Sequence, residues 1–465
     1  MKQLKNIDFK NLTQNIIYPI FEEQAINNDL LTTFSNSLEA IVDKTYNSTT
    51  VIHTLGKYNF ETITFLGLGK SSDLTSKKIR ELANNISLSK AAILYLNDFN
   101  SDVFDIHQLT KTFIESYIIG SYQEQIIGHE EKEITDFDIL FDHFDLSEDI
   151  NMAKIYAEGI NYARKISDTP ANLMNPNDLV NEAKKLADKY GMECTILDKQ
   201  ELEKIGAGGI LAVNQGSKIP AYIICLKYNN NGNEPYTAVI GKGLTFDSGG
   251  YNIKSNSYGM KYDMCGGADV LGIMKILAAS KAKTNVYGII PTTENLISDK
   301  AYRPQDVITT LSKKTVEIVS TDAEGRLILC DAITYAQQLG AKKIIDLATL
   351  TGACVSALGD IYTGVFSNDD CYYHQFEKIM IASDEKGWRL PLDQEYFKKL
   401  KSTSADLKNS AGKPGAGASI AACFLEAFIE DDTKWLHLDI AGTADNDGTK
   451  ATGAMIRSVV NMVKN

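Results

Sequence analysis

Histidine is scarce in this chain: six occur in 465 residues, at His53, His107, His129, His143, His374 and His437, and no two share the spacing that puts a pair on one helix face. A zinc centre built on paired histidines is excluded, so any zinc site here has to be made of carboxylates. His437 lies in an apolar, strand-like run and reads as a hydrogen-bonded core residue. The seven cysteines lack the close spacing of metal knuckles, and several, such as Cys225 and Cys330, sit inside apolar runs, as reduced core residues do. Long apolar stretches are missing as well. The N-terminus carries Lys2, Lys5 and Lys10 but no uninterrupted run of signal-segment length, and nothing reaches the ~18 apolar residues that cross a bilayer. A cytoplasmic protein with no membrane role is expected. Basic residues are outnumbered, 47 against 60 acidic, and the net charge of −13 disfavours a surface for nucleic acid, which needs clustered lysine and arginine.

A chain of 465 residues exceeds one ordinary hydrophobic core, so two domains are expected. In the N-terminal part the runs 61–69 and 90–96 read as buried strands flanking a helix over 73–85, the pattern of a smaller α/β domain over 1–150. Gly67-Leu68-Gly69-Lys70-Ser71 ends like a phosphate-binding loop, but the earlier glycine which that loop needs falls at Thr64, so nucleotide binding is rejected. From Ser147, a candidate N-cap, to Ser167 the chain reads as one long helix ahead of Asp168-Thr169-Pro170. A linking helix is placed at 151–170 and the second domain at 171–465.

The stretch Ser320-Thr321-Asp322-Ala323-Glu324-Gly325-Arg326-Leu327 sets two carboxylates one residue apart, just before a guanidinium. Val316 to Val319 suggest a strand, and in an extended backbone residues two apart share a face, so Asp322 and Glu324 could grip one cation. The apolar spacing from Arg326 to Ala336 predicts a buried helix, which puts the acidic pair at a strand-to-helix turn, a common ligand site in α/β sheets. The same pair also suits a bare helix start, where carboxylates complement the dipole and do nothing more.

Upstream, the buried-strand pattern Tyr236 to Ile240 leads into a glycine-rich segment that holds Lys242, Asp247 and Lys254, with Asp263 nine residues further on. Glycine lets backbone and short side chains come close to a bound ion or substrate. Convergence of Asp247, Asp263, Asp322 and Glu324 would be strongly repulsive unless cations sat among them, and oxygen-rich sites of this kind suit two divalent ions of zinc, manganese, magnesium or cobalt. Only a neutral amine ligates a metal, so Lys242 as a ligand needs its pKa lowered by the adjacent cation, whereas Lys254 as an ammonium could stabilise an oxyanion. Either lysine could equally be a solvated surface charge.

The segments Gly241–Lys254, Lys261–Gly266 and Thr321–Leu327 resemble the signature motifs of the leucyl aminopeptidase (cytosol aminopeptidase) family of di-zinc exopeptidases. The likeness continues through Asp346–Ala353, Trp388–Leu392, Ser404–Asn409 and Trp435–Gly442, in the family's order, over roughly residues 160 to 460. It implies a catalytic α/β domain with a central mixed sheet flanked by helices, joined by a long helix to the smaller N-terminal domain. It also implies removal of N-terminal residues from peptides, with leucine-like side chains preferred, by a hydroxide bridging two metals. Lys242, Asp247, Asp263 and Glu324 would ligate one metal, and Asp247, Asp322 and Glu324 the other. Lys254 and Arg326 would be the catalytic pair, the arginine holding a bicarbonate that acts as general base. Leu350 and Gly352 would lie at the substrate-holding strand end, with Met260, Thr349 and Ala451 in the pocket for the first side chain; Met260 and Thr349 also suit plain core packing.

Three positions depart from the family pattern. The loop between Lys254 and Asp263 is about two residues shorter, which makes side-chain preference less transferable than chemistry. Gly453-Ala454-Met455 replaces the usual Gly-Arg-Pro, and Ser320 stands where Asn is usual. The resemblance further implies a homohexamer of two stacked trimers. A dipeptidase acting on Cys-Gly, or a DNA-binding protein that uses its N-terminal domain, are the alternatives.

Overall fold

The computed structural model describes all residues except 6, 27–37, 125–126, 130–133 and 413–414. Its contacts divide the chain into two compact units, Met1–Glu158 and Gly159–Asn465. In the first, β1 (Gln3–Leu4), β2 (Asn15–Phe21), β3 (Thr49–His53), β4 (Thr62–Gly69), β5 (Ala92–Tyr95) and β6 (Phe137–Leu140) form a sheet in the order β1-β6-β5-β2-β4-β3. All neighbours are parallel except β3, which runs antiparallel to β4.

Alternation along the central strands feeds two cores. Ile17, Leu66, Leu68 and Leu94 pack with Ile79, Leu82, Leu109 and Phe113 from the helices Ser76–Asn84 and Ile106–Gly120. Ile16, Tyr18, Ile20, Ile63, Phe65 and Ile93 turn to the opposite face. The helix expected from Asp73 begins at Ser76, because the Thr75 side chain accepts a hydrogen bond from Lys78 N and caps it there. The segment after Gly69 forms a 3-10 turn at Ser71–Asp73. The expected long helix runs over Ser147–Asp168, with Ser147 already inside it.

The second unit contains β7 (Glu193–Leu197), β8 (Tyr222–Asn229), β9 (Thr237–Gly241), β10 (Gly243–Asp247), β11 (Asn285–Asn295), β12 (Val307–Thr309), β13 (Thr315–Glu317), β14 (Lys343–Ala348), β15 (Thr363–Ser367), β16 (Gly387–Arg389), β17 (Leu407–Lys408) and β18 (Lys434–Asp439). The main sheet is mixed, in the order β16-β15-β18-β14-β9-β11-β8-β7, with β10 paired to the far end of β11. β12, β13 and β17 make a small separate sheet. The central strands of the main sheet are buried on both faces beyond their first residue, as parallel strands covered by helices must be, and carry Asp346, His437 and Asp439 among apolar neighbours. Helices Cys265–Ala279 and Gly325–Gln338 pack against β9, and nearly every residue of both is buried. The parallel neighbours β9, β14 and β18 therefore bring their carboxyl ends, at Gly241, Ala348 and Asp439, to one edge of the sheet.

Candidate active site

At that edge, each expected charged residue stands where regular structure breaks. Lys242 separates β9 from β10, its backbone N–H donating to Leu347 O (3.0 Å) and its carbonyl accepting from Gly267 N (2.8 Å). Asp247 ends β10, Asp263 lies in the 3-10 turn Met260–Met264, and Glu324 immediately precedes the helix Gly325–Gln338. Glycines permit this crowding. A Cβ on Gly266 would stand 2.1 Å from Leu347 O and 3.0 Å from Lys242 N, so only glycine lets the helix that follows the Asp263 turn approach β9 and β14 this closely.

The charged groups interlock. Lys242 Nζ lies 2.7 Å from Asp263 Oδ1 and 3.1 Å from Glu324 Oε1, and donates to Thr349 O at 2.9 Å. Lys254 Nζ bridges Asp247 Oδ2 (2.7 Å) and Asp322 Oδ1 (2.5 Å). Asp247 Oδ1 accepts from Gly249 N and from Asn295 Nδ2, both at 2.8 Å. Asp247, Asp263 and Glu324 each offer an oxygen within 4.8 Å of the others, and all three are buried.

Electrostatics follow from this geometry. Burial works to lower the Lys242 pKa, but Asp263, Glu324 and Asp247 outweigh it and hold the amine above its ordinary value. Lys254 is raised in the same way, its burial opposed by Asp247, Glu324 and Asp322. Asp263 is pushed up by burial, with Lys242 opposing and Asp247 and Glu324 adding to the rise. Arg326 is buried, which draws its guanidinium down to about 10 against the pull of Glu324 and Asp439.

The donor set fits divalent metal. Asp263 Oδ2 and Glu324 Oε2 are buried with no hydrogen-bond partner among the described residues, although orphaned carboxylate oxygens are costly in a folded protein. A cation among them would remove that cost and relieve the repulsion that lifts Asp263. Four carboxylates, Asp247, Asp263, Asp322 and Glu324, face two ammonium groups, so negative charge is in excess.

The strand read over Val316 to Val319 stops at Glu317, so Asp322 and Glu324 do not share an extended face. Side chains take the backbone groups that a ladder would have used: Asn409 Oδ1 accepts from Val319 N and its Nδ2 donates to Ser320 O, while Asn252 Oδ1 accepts from Thr321 N. The two carboxylates instead meet different lysines. Arg326 Nη1 donates to Asn409 O at 2.6 Å, and its Nε has no partner among the described residues.

Of the residues placed at the substrate, Thr349 is tied directly into the charged cluster, its hydroxyl donating to Asp263 Oδ1 at 2.8 Å. Leu350 N donates to Asp439 Oδ1, and Gly352 opens the helix Gly352–Leu358 with open space around it. Met260 begins the turn that carries Asp263. Ala451 is buried and connects only indirectly, its N–H donating to Asp168 Oδ1, which also accepts from the Tyr262 hydroxyl.

Several supporting residues escaped the sequence reading. Asn295 ends β11 and clamps Asp247 to the Thr321 carbonyl (2.9 Å). Asp439 accepts from Leu350 N, Thr351 N, Thr351 Oγ1 and Ala441 N, fixing the strand end beside the cluster. The signal available at Asn295 was an amide closing a long strand-like run. His437 is fully buried with Nδ1 2.6 Å from Asp346 Oδ1, the core role expected of it.

A buried carboxylate centre with two ammonium groups, at the strand ends of a mixed α/β sheet, defines the class of metal-dependent hydrolases. The profile of the cytosol aminopeptidase family, catalytic domain, matches residues 161–460, and the chain belongs to that family. It is a metal-dependent aminopeptidase. The chain is also similar to the solved structure of the bottromycin maturation enzyme BotP, at 25% identity and a TM-score of 0.86, with 97% of this chain and 99% of that one covered. Among the described residues no helix is long and apolar enough to cross a membrane.

Proposed function

We propose that this aminopeptidase hydrolyses the first peptide bond of peptides and prefers leucine-like N-terminal residues. The observation that carries the reading is the convergence of Asp247, Asp263 and Glu324, two of them with orphaned buried oxygens, beside Lys254. Asp247, Asp263, Asp322, Glu324 and Lys242 would hold two divalent ions, zinc or manganese before cobalt or magnesium. Bound there, the ions supply Lewis acidity and a nucleophilic water at neutral pH. Lys242 would give up its ion pairs to serve as a neutral ligand. Lys254, half-released from Asp247 and Asp322, would place its ammonium against the oxyanion that develops at the scissile carbonyl. Arg326 would hold a bicarbonate positioned to take a proton, and Met260, Thr349, Leu350, Gly352 and Ala451 would receive the first residue. We further propose a cytoplasmic homohexamer, a reading that family membership supports.

The test is hydrolysis of leucine 4-nitroanilide and of Cys-Gly by metal-stripped protein, before and after adding each metal singly. Metal-restored release from the leucine substrate is expected. Turnover of Cys-Gly alone would make it a dipeptidase, and silence on both would overturn the reading in favour of a binding protein.

A further inference from the structure

The N-terminal sheet has a crevice that catalysis leaves unexplained. From β2 the chain proceeds through β3 to β4 on one side of the sheet, whereas from β5 it proceeds to β6 on the other. β2 and β5 are parallel neighbours whose outgoing connections diverge, so their carboxyl ends form a topological switch point, the place where open α/β sheets bind ligands. A cavity of about 490 Å³ lies there, lined by Gln24 and Ala25 after β2, Asn97 to Asn100 after β5 and His143 after β6.

The lining specifies a chemistry. Among the described residues no lysine or arginine lines it, which disfavours phosphate and other purely anionic ligands. Asp98 offers a carboxylate oriented by two hydroxyls, Tyr18 on Oδ2 and Tyr95 on Oδ1 at 3.5 Å, and a carboxylate has about four acceptor positions. Around it are amide donors. Asn97 Nδ2 and the whole Asn100 carboxamide have no hydrogen-bond partner among the described residues, while Asn97 Oδ1 is fixed by Asp142 N at 3.0 Å. Gln24 Nε2 and His143 Nε2 contact the carbonyls of Asp98 and Asn97 and brace the loop. Phe99 adds one apolar wall.

We propose that this crevice binds a free amino acid as its zwitterion, the ammonium on Asp98 and the carboxylate on the Asn97 and Asn100 amides, with the side chain toward Phe99. An exopeptidase releases such a molecule at each turnover, but the pocket's chemistry does not depend on the catalytic reading.

Calorimetric titration of the full-length, metal-loaded chain with L-leucine, L-glutamine and glycine tests this, with leucine hydroxamate present in excess to occupy the catalytic centre. Binding of at least one amino acid at one site per chain is expected. The variant carrying both Asn97→Ala and Asn100→Ala should weaken it by about tenfold or more, through loss of hydrogen bonds to a charged group. Ala25→Trp, an exposed position, should abolish it by filling the crevice, and neither variant should alter basal hydrolysis. Asp98→Asn is avoided as the sole test because Asp98 also anchors Tyr18. The proposal is overturned by the absence of binding to the unaltered chain, by unchanged affinity in both variants, or by putrescine or inorganic phosphate binding as tightly as the amino acids. An enzyme that fails to hydrolyse peptides but still binds amino acids in this way would leave the pocket standing.

Discussion

Lys254 Nζ stands 2.7 Å from Asp247 Oδ2, and the same ammonium reaches Asp322, so one flexible cation neutralises two carboxylates that belong to different loops. Lys242 does the corresponding work for Asp263 and Glu324, but from a fully buried position between two strands. Lys254 is the more exposed of the two, which suits a group that meets substrate.

The first prediction separates the lysine from the carboxylates. Asp263→Ala and Glu324→Ala remove buried oxygens that have no other partner, so both should lose bound metal and activity together. Lys254→Ala should retain metal and lower kcat by about 10²–10³, the usual cost of removing an oxyanion donor. Metal content by atomic emission, measured beside kcat, decides this; equal metal loss in all three variants would contradict the assigned roles.

Arg326 provides the second. Its guanidinium is buried and charged near neutral pH, one nitrogen fixed by Asn409 O and Nε unengaged, so it is oriented to hold a small anion. Arg326→Ala should bring the ratio of rates with and without bicarbonate down to about one, because the guanidinium oriented to hold the anion is lost. An unaltered bicarbonate response in a variant that still folds, judged by circular dichroism, would remove Arg326 from that role.

Gly266→Ala tests the close packing that assembles the site. Its new Cβ would meet the backbone of Leu347 and Lys242, neither of which can rotate away, so the helix Cys265–Ala279 must shift. A loss of about 3 kcal/mol in urea unfolding is expected, at the upper end for overpacking, with weaker metal binding because Asp263 moves with the helix. Unchanged stability would mean that the helix start is looser than the contacts indicate.

The metal-competent residues were legible because they lie in short segments dense in glycine and carboxylate, where chemistry leaves a local signature. Their partners were less so. Asn409 lies 90 residues from the Val319 amide it supports, and Asp439 nearly as far from the Leu350 and Thr351 amides it accepts from, so nothing in their own neighbourhoods announces the role. The misread strand before Asp322 has the same origin, since apolar, β-branched residues predict a ladder wherever no distant side chain takes the backbone hydrogen bonds instead. The smaller N-terminal α/β domain followed from buried-strand runs alternating with helical periodicity, whereas the mixed sheet of the catalytic domain came from the family resemblance, and sheet order from neither, because crossovers leave no mark on local sequence.

Asp269 supplies the last prediction. It is buried in the helix Cys265–Ala279 with Oδ2 lacking a partner, and burial, reinforced by Glu385, lifts its pKa well above the ordinary carboxylate value. The folded state therefore binds more protons than the unfolded chain once pH exceeds the unfolded value, and the difference in bound protons makes stability fall as pH rises. The fall is at most about 1.4 kcal/mol per pH unit until the folded pKa is passed. Asn cannot ionise, so Asp269→Asn should remove this slope: in urea unfolding the variant should gain on the native chain as pH rises above the ordinary carboxylate range. Parallel stability profiles for the two proteins would show that Asp269 keeps its charge partnered in the folded state.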